Sequence, residues 1–307
     1  MALNNICIEN IGYSSFSYYS SADIHIRDYY FSVCSVVKRE LPSISSGINL
    51  NFCKERVEFG NSNPTFTLSL QLEHTLVKPG GRSCYSSSIL GDASYDNENY
   101  LIRLDNYDIL KNIDAILDYS MANISHLGKG KTKSLINNFF HFSPLIYDDI
   151  FFDIADRTET ITLFNPESSD RRKGFLKGAG KISGPVKNIM GVFDKTDLRD
   201  IYKKCRILVN VHQTPHHHTL EELRVLPAIL NGVIVVSENV PLKDKIPYSD
   251  FIVWSEYSDI NDTIRGVLDD YENIHAKLFS FPLKGKIENM RKNNSSSINR
   301  LLKYLSR

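Results

Sequence analysis

The 307-residue sequence contains no C-x-x-C pair, and its five cysteines (7, 34, 53, 84 and 205) are odd in number and scattered. That argues against a disulfide framework and for reduced thiols in the cytosol. Net charge is absent too: 36 basic residues face 36 acidic ones, so no global field favours nucleic acid. No run approaches the roughly 18 apolar residues of a membrane span. The start, MALNNICIENIG, lacks both the charged and the long apolar part of a secretory signal. Lys78-Pro79-Gly80-Gly81-Arg82 is too short and wrongly ordered for a phosphate-binding P-loop, which disfavours a nucleotide hydrolase. Internal repeats and long low-complexity tracts are also missing.

What is present suits two domains of roughly 150 residues. The most informative stretch is 208–238, LVNVHQTPHHHTLEELRVLPAILNGVIVVSE. It reads as a buried strand, a His-rich loop, a short helix, a turn and a second buried strand, which is one crossover unit of an open α/β sheet. Ligands of such sheets bind outside the carboxyl ends of the strands. Thr219 and Glu222 have capping-box spacing, with Thr219 as N-cap and Glu222 as the reciprocal partner. The helix start then offers free N–H groups to a phosphate. Pro227 is expected to bend or shorten the helix, and Asn231-Gly232 to end it.

Upstream, a strand is expected at 5–9, a Ser/Tyr-rich loop at 12–21 and a helix over 23–40. Further strands are expected at 49–52, 65–72, 100–104 and 139–146, with short helices at 107–112 and after Met121. The alternating strand 65–72 opens onto Glu73-His74-Thr75. Segment 115–119 delivers Asp118, the linker falls near 147–156, and helices cover 259–271 and 284–305. From Lys284 onward seven basic residues oppose one acid, a balance of +6. This tail fits a solvated crossover helix, or a contact with an anionic membrane surface or a lipid-linked acceptor.

Asn210-Val211-His212, Leu220-Glu221-x-x-Arg224 and Gly232-x-x-Val235-Val236-Ser237-Glu238 together resemble the donor-binding half of GT-B glycosyltransferases, in particular a bacterial and viral group. Thr162-Leu163-Phe164-Asn165 followed by Asp170-Arg171-Arg172 resembles the first strand, loop and helix start of that domain. Gly191-Val192-Phe193 and Leu198-x-x-Ile201-Tyr202 resemble the next strand and helix, and 248–253 a later strand. The likeness covers about residues 160–260. LEHTLVKPGGR and DYSMANI resemble the acceptor-side half more loosely.

The resemblance implies an α/β fold of two Rossmann-like domains facing across a cleft, with a C-terminal helix returning to the first. The divisions would be an acceptor-side domain at 1–150, a nucleotide-sugar domain at 151–283 and a basic helical tail at 284–307. The implied activity is transfer of a sugar from a nucleotide donor to a glycan or lipid-linked acceptor in surface-polysaccharide assembly. A UDP-sugar is the expected donor, no separate cofactor is expected, and nucleic acid is not an expected partner. The expected location is the cytoplasm, with peripheral contact at the inner face of the membrane. The rival readings are a sugar-nucleotide-modifying enzyme of epimerase type and a non-catalytic nucleotide-sugar or glycan-binding module.

Such chemistry needs a neutralised leaving group, a gripped nucleoside and, for inversion, a base. Arg171 and Arg172, aided by Lys173, suit the phosphates through their guanidinium forks. Asn210, His212, Thr219, Leu220, Glu221, Arg224 and Glu238 complete the expected donor site. Glu221 would hold the ribose hydroxyls by family likeness. Arg224 would pair either with the donor or with Glu221. For the base, Glu73 and His74 are preferred and Asp118 is the reserve. His212, His216, His217 and His218 do not match a zinc spacing. No D-x-D metal motif adjoins the unit, so metal-independent transfer is expected. Of the triple histidine, one is expected near phosphate and the rest on the loop surface. The retaining pattern of two glutamates eight apart is missing, because positions 229 and 230 are Ile and Leu. Stereochemistry therefore stays open.

Overall fold

The computed structural model describes residues 6–81, 88–128, 134–167, 169–182 and 185–307. Arg82 and Cys84 lie outside them. In the amino-terminal half the elements run β1 (Ile6–Ile11), β2 (Ser14–Tyr19), α1 (Arg27–Glu40), β3 (Asn49–Asn51), β4 (Thr65–Gln71), β5 (Leu76–Val77), β6 (Ile89–Tyr95), β7 (Glu98–Arg103), α2 (Tyr107–Leu110), β8 (Ala115–Asp118), α3 (Met121–Leu127) and β9 (Phe139–His141). The carboxyl-terminal half continues with β10 (Glu159–Thr162), α4 (Asp170–Ile182), β11 (Val186–Asn188), α5 (Lys195–Tyr202), β12 (Cys205–Asn210), α6 (Glu222–Leu230), β13 (Ile234–Glu238), β14 (Ile252–Ser255), α7 (Ile260–Asp269), α8 (Tyr271–Leu278) and α9 (Phe281–Leu305).

The first sheet has the order β1-β2-β3-β4-β8-β9. Only its β1–β2 pair is antiparallel; β2 through β9 run parallel. The second sheet, β11-β10-β12-β13-β14, is parallel throughout. Its central strands β12 and β13 carry the apolar runs Ile207–Val209 and Ile234–Val236, as strands buried on both faces do. After β11 the chain returns past β10 to lay down β12. The strand order therefore reverses between β10 and β12, which is a topological switch point.

Helix α9 closes the chain back onto the first half, as the GT-B resemblance implies. Leu283, Ile287, Met290, Ile298, Leu301, Leu302 and Leu305 form its buried stripe, while Lys284, Lys292, Arg300 and Lys303 face outward. Asn294 anchors it by exchanging two bonds with the Ser143 backbone, 2.8 and 2.9 Å. Asn299 donates to Glu40 at 2.8 Å, tying α9 to the end of α1. The amphipathic stripe thus makes the tail a packed crossover helix. One apolar cluster runs through both sheets, and a smaller one fills the space under β5–β7.

Several sequence expectations need correction. Segment 12–21 contains strand β2, because Phe16 and Tyr19 bury themselves while Ser15 and Ser17 bond across the sheet. Strand β6 was not foreseen. It pairs with β7 through a two-residue turn, Asp96-Asn97, both at positive φ, the conformation of a primed hairpin turn. Residues 191–193 form no strand; the strand of that unit is β11, five residues earlier. Strand β9 ends at His141, well short of Ile146.

Behind the second sheet, Arg157 is fully buried and donates to the carbonyls of Asp153, Cys205, Asn231 and Gly232 at 2.6–3.1 Å. It gathers the linker, the start of β12 and the end of α6. Gly232 has φ +68° there, and a Cβ would stand 2.9 Å from the Phe151 carbonyl oxygen. Both backbone conformation and space forbid a side chain. Gly232→Ala should therefore destabilise the fold by roughly 1–3 kcal/mol. Urea unfolding measures this, and an unchanged midpoint would contradict the account.

Candidate functional site

The switch point places two loops side by side. Ser169 ends the loop after β10, and its hydroxyl accepts from the Arg172 N–H at 3.1 Å, capping α4. The same hydroxyl donates to the Gln213 carbonyl in the loop after β12. Asp170-Arg171-Arg172 opens α4 as expected.

Arg172 is buried. Its Nε donates to the Val211 carbonyl at 3.0 Å, one terminal nitrogen donates to Glu221 at 2.6 Å, and its plane lies 4.7 Å from the Phe164 ring centroid. Glu221 also pairs with Arg224 on the next turn of α6. Burial alone would raise the Glu221 pKa, but the Arg224 and Arg172 guanidiniums outweigh it and hold it at about 2. Glu221 is therefore an obligate anion. Arg171 is more accessible. It pairs with Glu238, the last residue of β13, and lies 3.7 Å from the Tyr257 ring centroid. Glu238 is buried and also accepts from the His212 backbone N–H at 2.6 Å. Asn210 donates to the Ser237 hydroxyl at 3.0 Å, locking the ends of β12 and β13 together.

Sequence reading thus brings Arg171, Arg172, Asn210, His212, Glu221, Arg224 and Glu238 into one cluster at strand carboxyl ends. It does not place Thr219 and Leu220 correctly. The helix starts at Glu222 with Glu221 as N-cap, so there is no capping box. The Thr219 hydroxyl instead bonds His74 Nδ1 in the other half. Leu220 is a core side chain. Glu222 turns inward, where its carboxylate accepts from the Tyr248 hydroxyl at 2.8 Å. Pro227 remains inside α6, and Asn231 donates to its carbonyl at 2.8 Å. The contacts of Phe164, Tyr248 and Tyr257 carry no sequence signal of their own; Tyr257 lies two residues past the end of β14.

The histidine loop is an interface between the halves rather than a loop surface. His217 pairs antiparallel with Val77 of β5, and the Lys78 N–H donates to the His216 carbonyl at 2.7 Å. His217 stacks on His74 at 5.3 Å between centroids, and His218 meets Tyr100 at 5.5 Å and His212 at 5.6 Å. Gly81 lies so close that a Cβ would come within 2.6 Å of His216. Burial pushes the His212 pKa down to about 3 and those of His74 and His217 to about 4, so these rings are neutral near pH 7. Among the described residues no group of three or more His, Cys, Asp or Glu is arranged to hold a metal ion. No described helix is long and apolar enough to cross a membrane.

The base candidates fall in different environments. Glu73 is half-exposed and 3.8 Å from Arg103. His74, next to it, faces the carboxyl-terminal half through Thr219 and His217. Asp118 is wholly buried: Oδ1 accepts from Ser120 N–H at 2.8 Å and Asn123 at 3.2 Å, and burial raises its pKa well above its ordinary value. Its other oxygen is buried without a partner. An acid enclosed on all sides is poorly placed to reach a substrate proton.

No family model matches the chain. "Uncharacterized protein R358" of Acanthamoeba polyphaga mimivirus is 32% identical over 197 residues, covering 62% of this chain and 66% of that protein. The chain thus spans just under two thirds of the curated relative it matches. Among solved structures, accessory secretory protein 1, 2 and 3 of Streptococcus pneumoniae aligns with a TM-score of 0.34 and 13% identity, over 85% of this chain and 58% of that one. The UDP-forming α,α-trehalose-phosphate synthase of Burkholderia vietnamiensis aligns with a TM-score of 0.37 and 8% identity, over 97% and 87%.

Glu222 supplies a pH test of this geometry. Burial raises its pKa from 4.5 to about 7, with the Ser120 and Tyr248 hydroxyls opposing. The folded state then holds a proton that the unfolded chain releases. Stability from this group is complete below its unfolded pKa and is lost as pH rises toward the folded value. Relative to Glu222→Gln, the native protein should lose on the order of 1–3 kcal/mol between about pH 4.5 and 7. Denaturant melts across that range measure it, and parallel pH curves for the two proteins would refute it.

Proposed function

We propose that the chain is a glycosyltransferase that takes a sugar from a nucleotide donor held at the β10/β12 switch point. The observation that carries this reading is the convergence of Arg171, Arg172, Glu221, Arg224 and Glu238 at the carboxyl ends of one parallel sheet, facing His74 from the other. Guanidiniums neutralise phosphate oxygens as the leaving group departs. Arg171 is the better candidate for that task, since Arg172 is enclosed and holds the Val211 carbonyl. Glu221 is the group proposed to accept from ribose hydroxyls. Because it neutralises buried Arg172, its removal would also strand that cation, at a cost of roughly 3–5 kcal/mol. Glu221→Gln removes the same charge while keeping an acceptor oxygen for Arg172, so nucleotide affinity in either variant is read with a melting curve beside it. A UDP-sugar donor, a glycan or lipid-linked acceptor and a place in polysaccharide assembly belong to the same proposal. His74, neutral and beside the half-exposed Glu73, is the favoured base if the reaction inverts.

Two experiments test it. A thermal-shift panel of UDP, GDP, CMP and dTDP should show one nucleotide raising the melting temperature through mass action. Arg171→Ala should then keep the fold while lowering sugar transfer by about 10²-fold or more. His74→Ala should lower transfer with donor binding intact. No shift with any nucleotide, and no release or transfer of sugar from any nucleotide sugar, would reject the reading.

The cationic side chains are proposed to do the work that a divalent metal does elsewhere. Transfer should therefore continue at an unchanged rate in EDTA. Complete loss in chelator, restored by one divalent ion, would instead require a metal at this site.

A further inference from the structure

Between β3 and β4 the chain crosses by residues 52–64 without a helix. Parallel sheets are ordinarily covered by helices on both faces. Here one face of β2, β3 and β4 is conventional, with Phe16, Leu50 and Leu68 in the core. The other face carries Ser15 and Ser17, Asn49 and Asn51, and Thr65 and Thr67, in register across the three strands. The crossing loop leaves a cavity of about 630 Å³ over this polar face. That lies within the roughly 300–1,000 Å³ of ligand clefts.

The lining is built rather than incidental. Asn49 donates to Asn61 Oδ1 and to the Asn63 carbonyl, both at 2.9 Å, which fixes its amide orientation. Its own Oδ1 is buried and has no hydrogen-bond partner. Asn61 donates to the Ser15 hydroxyl at 3.0 Å, and Ser17 donates to Asn51 at 2.8 Å. Charges in the lining balance, with Lys54 and Arg56 against Glu55 and Glu58. Phe59 adds one partly buried aromatic ring. Amides and hydroxyls offer donors and acceptors together, as sugar hydroxyls require. An aromatic ring offers the apolar face that a pyranose C–H surface packs against. Neither a net anion nor a net cation is favoured.

We propose that this cavity binds a neutral saccharide. The site is separate from the nucleotide cluster, for it shares no lining residue with it. Along β4 alone, Thr67 is four residues, about 13 Å at 3.3 Å each, from the strand's carboxyl end. The proposal does not depend on glycosyl transfer, since a saccharide-binding module would use the same face.

Isothermal titration and saturation-transfer NMR with cellotriose, maltotriose, chitotriose and mannotriose test it on the full chain. At least one should bind with a dissociation constant on the order of 1 mM or tighter. Phe59→Ala and Thr67→Val should each weaken that binding about tenfold or more without lowering the melting temperature. Should Thr67→Val disturb the strand, Phe59→Ala alone decides. The proposal is overturned if no trisaccharide binds at about ten times that concentration, or if Phe59→Ala leaves binding unchanged. Equal or tighter binding of a sulfated heparin tetrasaccharide would overturn the neutral class. Competition by saturating UDP would move the sugar to the cleft and overturn the separate site. Failure of these titrations leaves the nucleotide thermal shifts unaffected, so the two readings stand or fall apart.

Discussion

The ion pair between Arg172 and Glu221 is the constraint on which the cluster at the ends of the second sheet depends. It joins the start of α4, the end of β12 and the start of α6, and it does so out of water. A buried guanidinium is tolerable only when its donors are used, and here a carbonyl, a carboxylate and an aromatic face use them. Once that cation is fixed, Glu221 must stay ionised, and Arg224 adds to the same demand. The second pair, Arg171 with Glu238, is fixed from the other side, because Glu238 is buried and also holds the His212 N–H, which leaves Arg171 as the partly exposed member.

The halves meet through backbone as much as through side chains. The His216–His218 segment lies along β5 in a short antiparallel pairing, and neutral imidazoles stack where charged ones would repel. His217 and His218 pack there as aromatics do, and each retains a polar edge. Gly81 is required because the loop passes too close for a side chain.

Much of this was legible in the chain. The parallel second sheet showed in the apolar runs around Leu208 and Val235, and the Arg171-Arg172 helix start stands where the family resemblance put it. Local signals misled where tertiary demands were stronger. Thr219 and Glu222 have ideal capping spacing, yet Thr219 is drawn to His74 and Glu222 to Tyr248, because each buried polar group needs a partner more than the helix needs that cap. Strand β2 was hidden by its serines and tyrosines, which are polar in sequence but bonded or buried in place. Strand β6 was hidden by its small and charged residues, although Asp96-Asn97 signals a hairpin in hindsight. Which of Glu73, His74 and Asp118 is enclosed could not be read from spacing at all, since enclosure is set by residues far away in the chain.

The return of α9 has a mechanical consequence. The linker after Tyr147 and the entry into α9 cross between the halves side by side: Phe152 meets Phe279 at 5.0 Å between ring centroids, and Arg291 donates to the Tyr147 carbonyl at 3.1 Å. A single strap between two bodies permits torsion as freely as tilt. Two adjacent straps behave as a door hinge with two leaves, stiff to torsion and soft to bending about the line that joins them. Rotation of one half against the other would have to break the contacts between the two crossings as well as the pairing at the histidine segment.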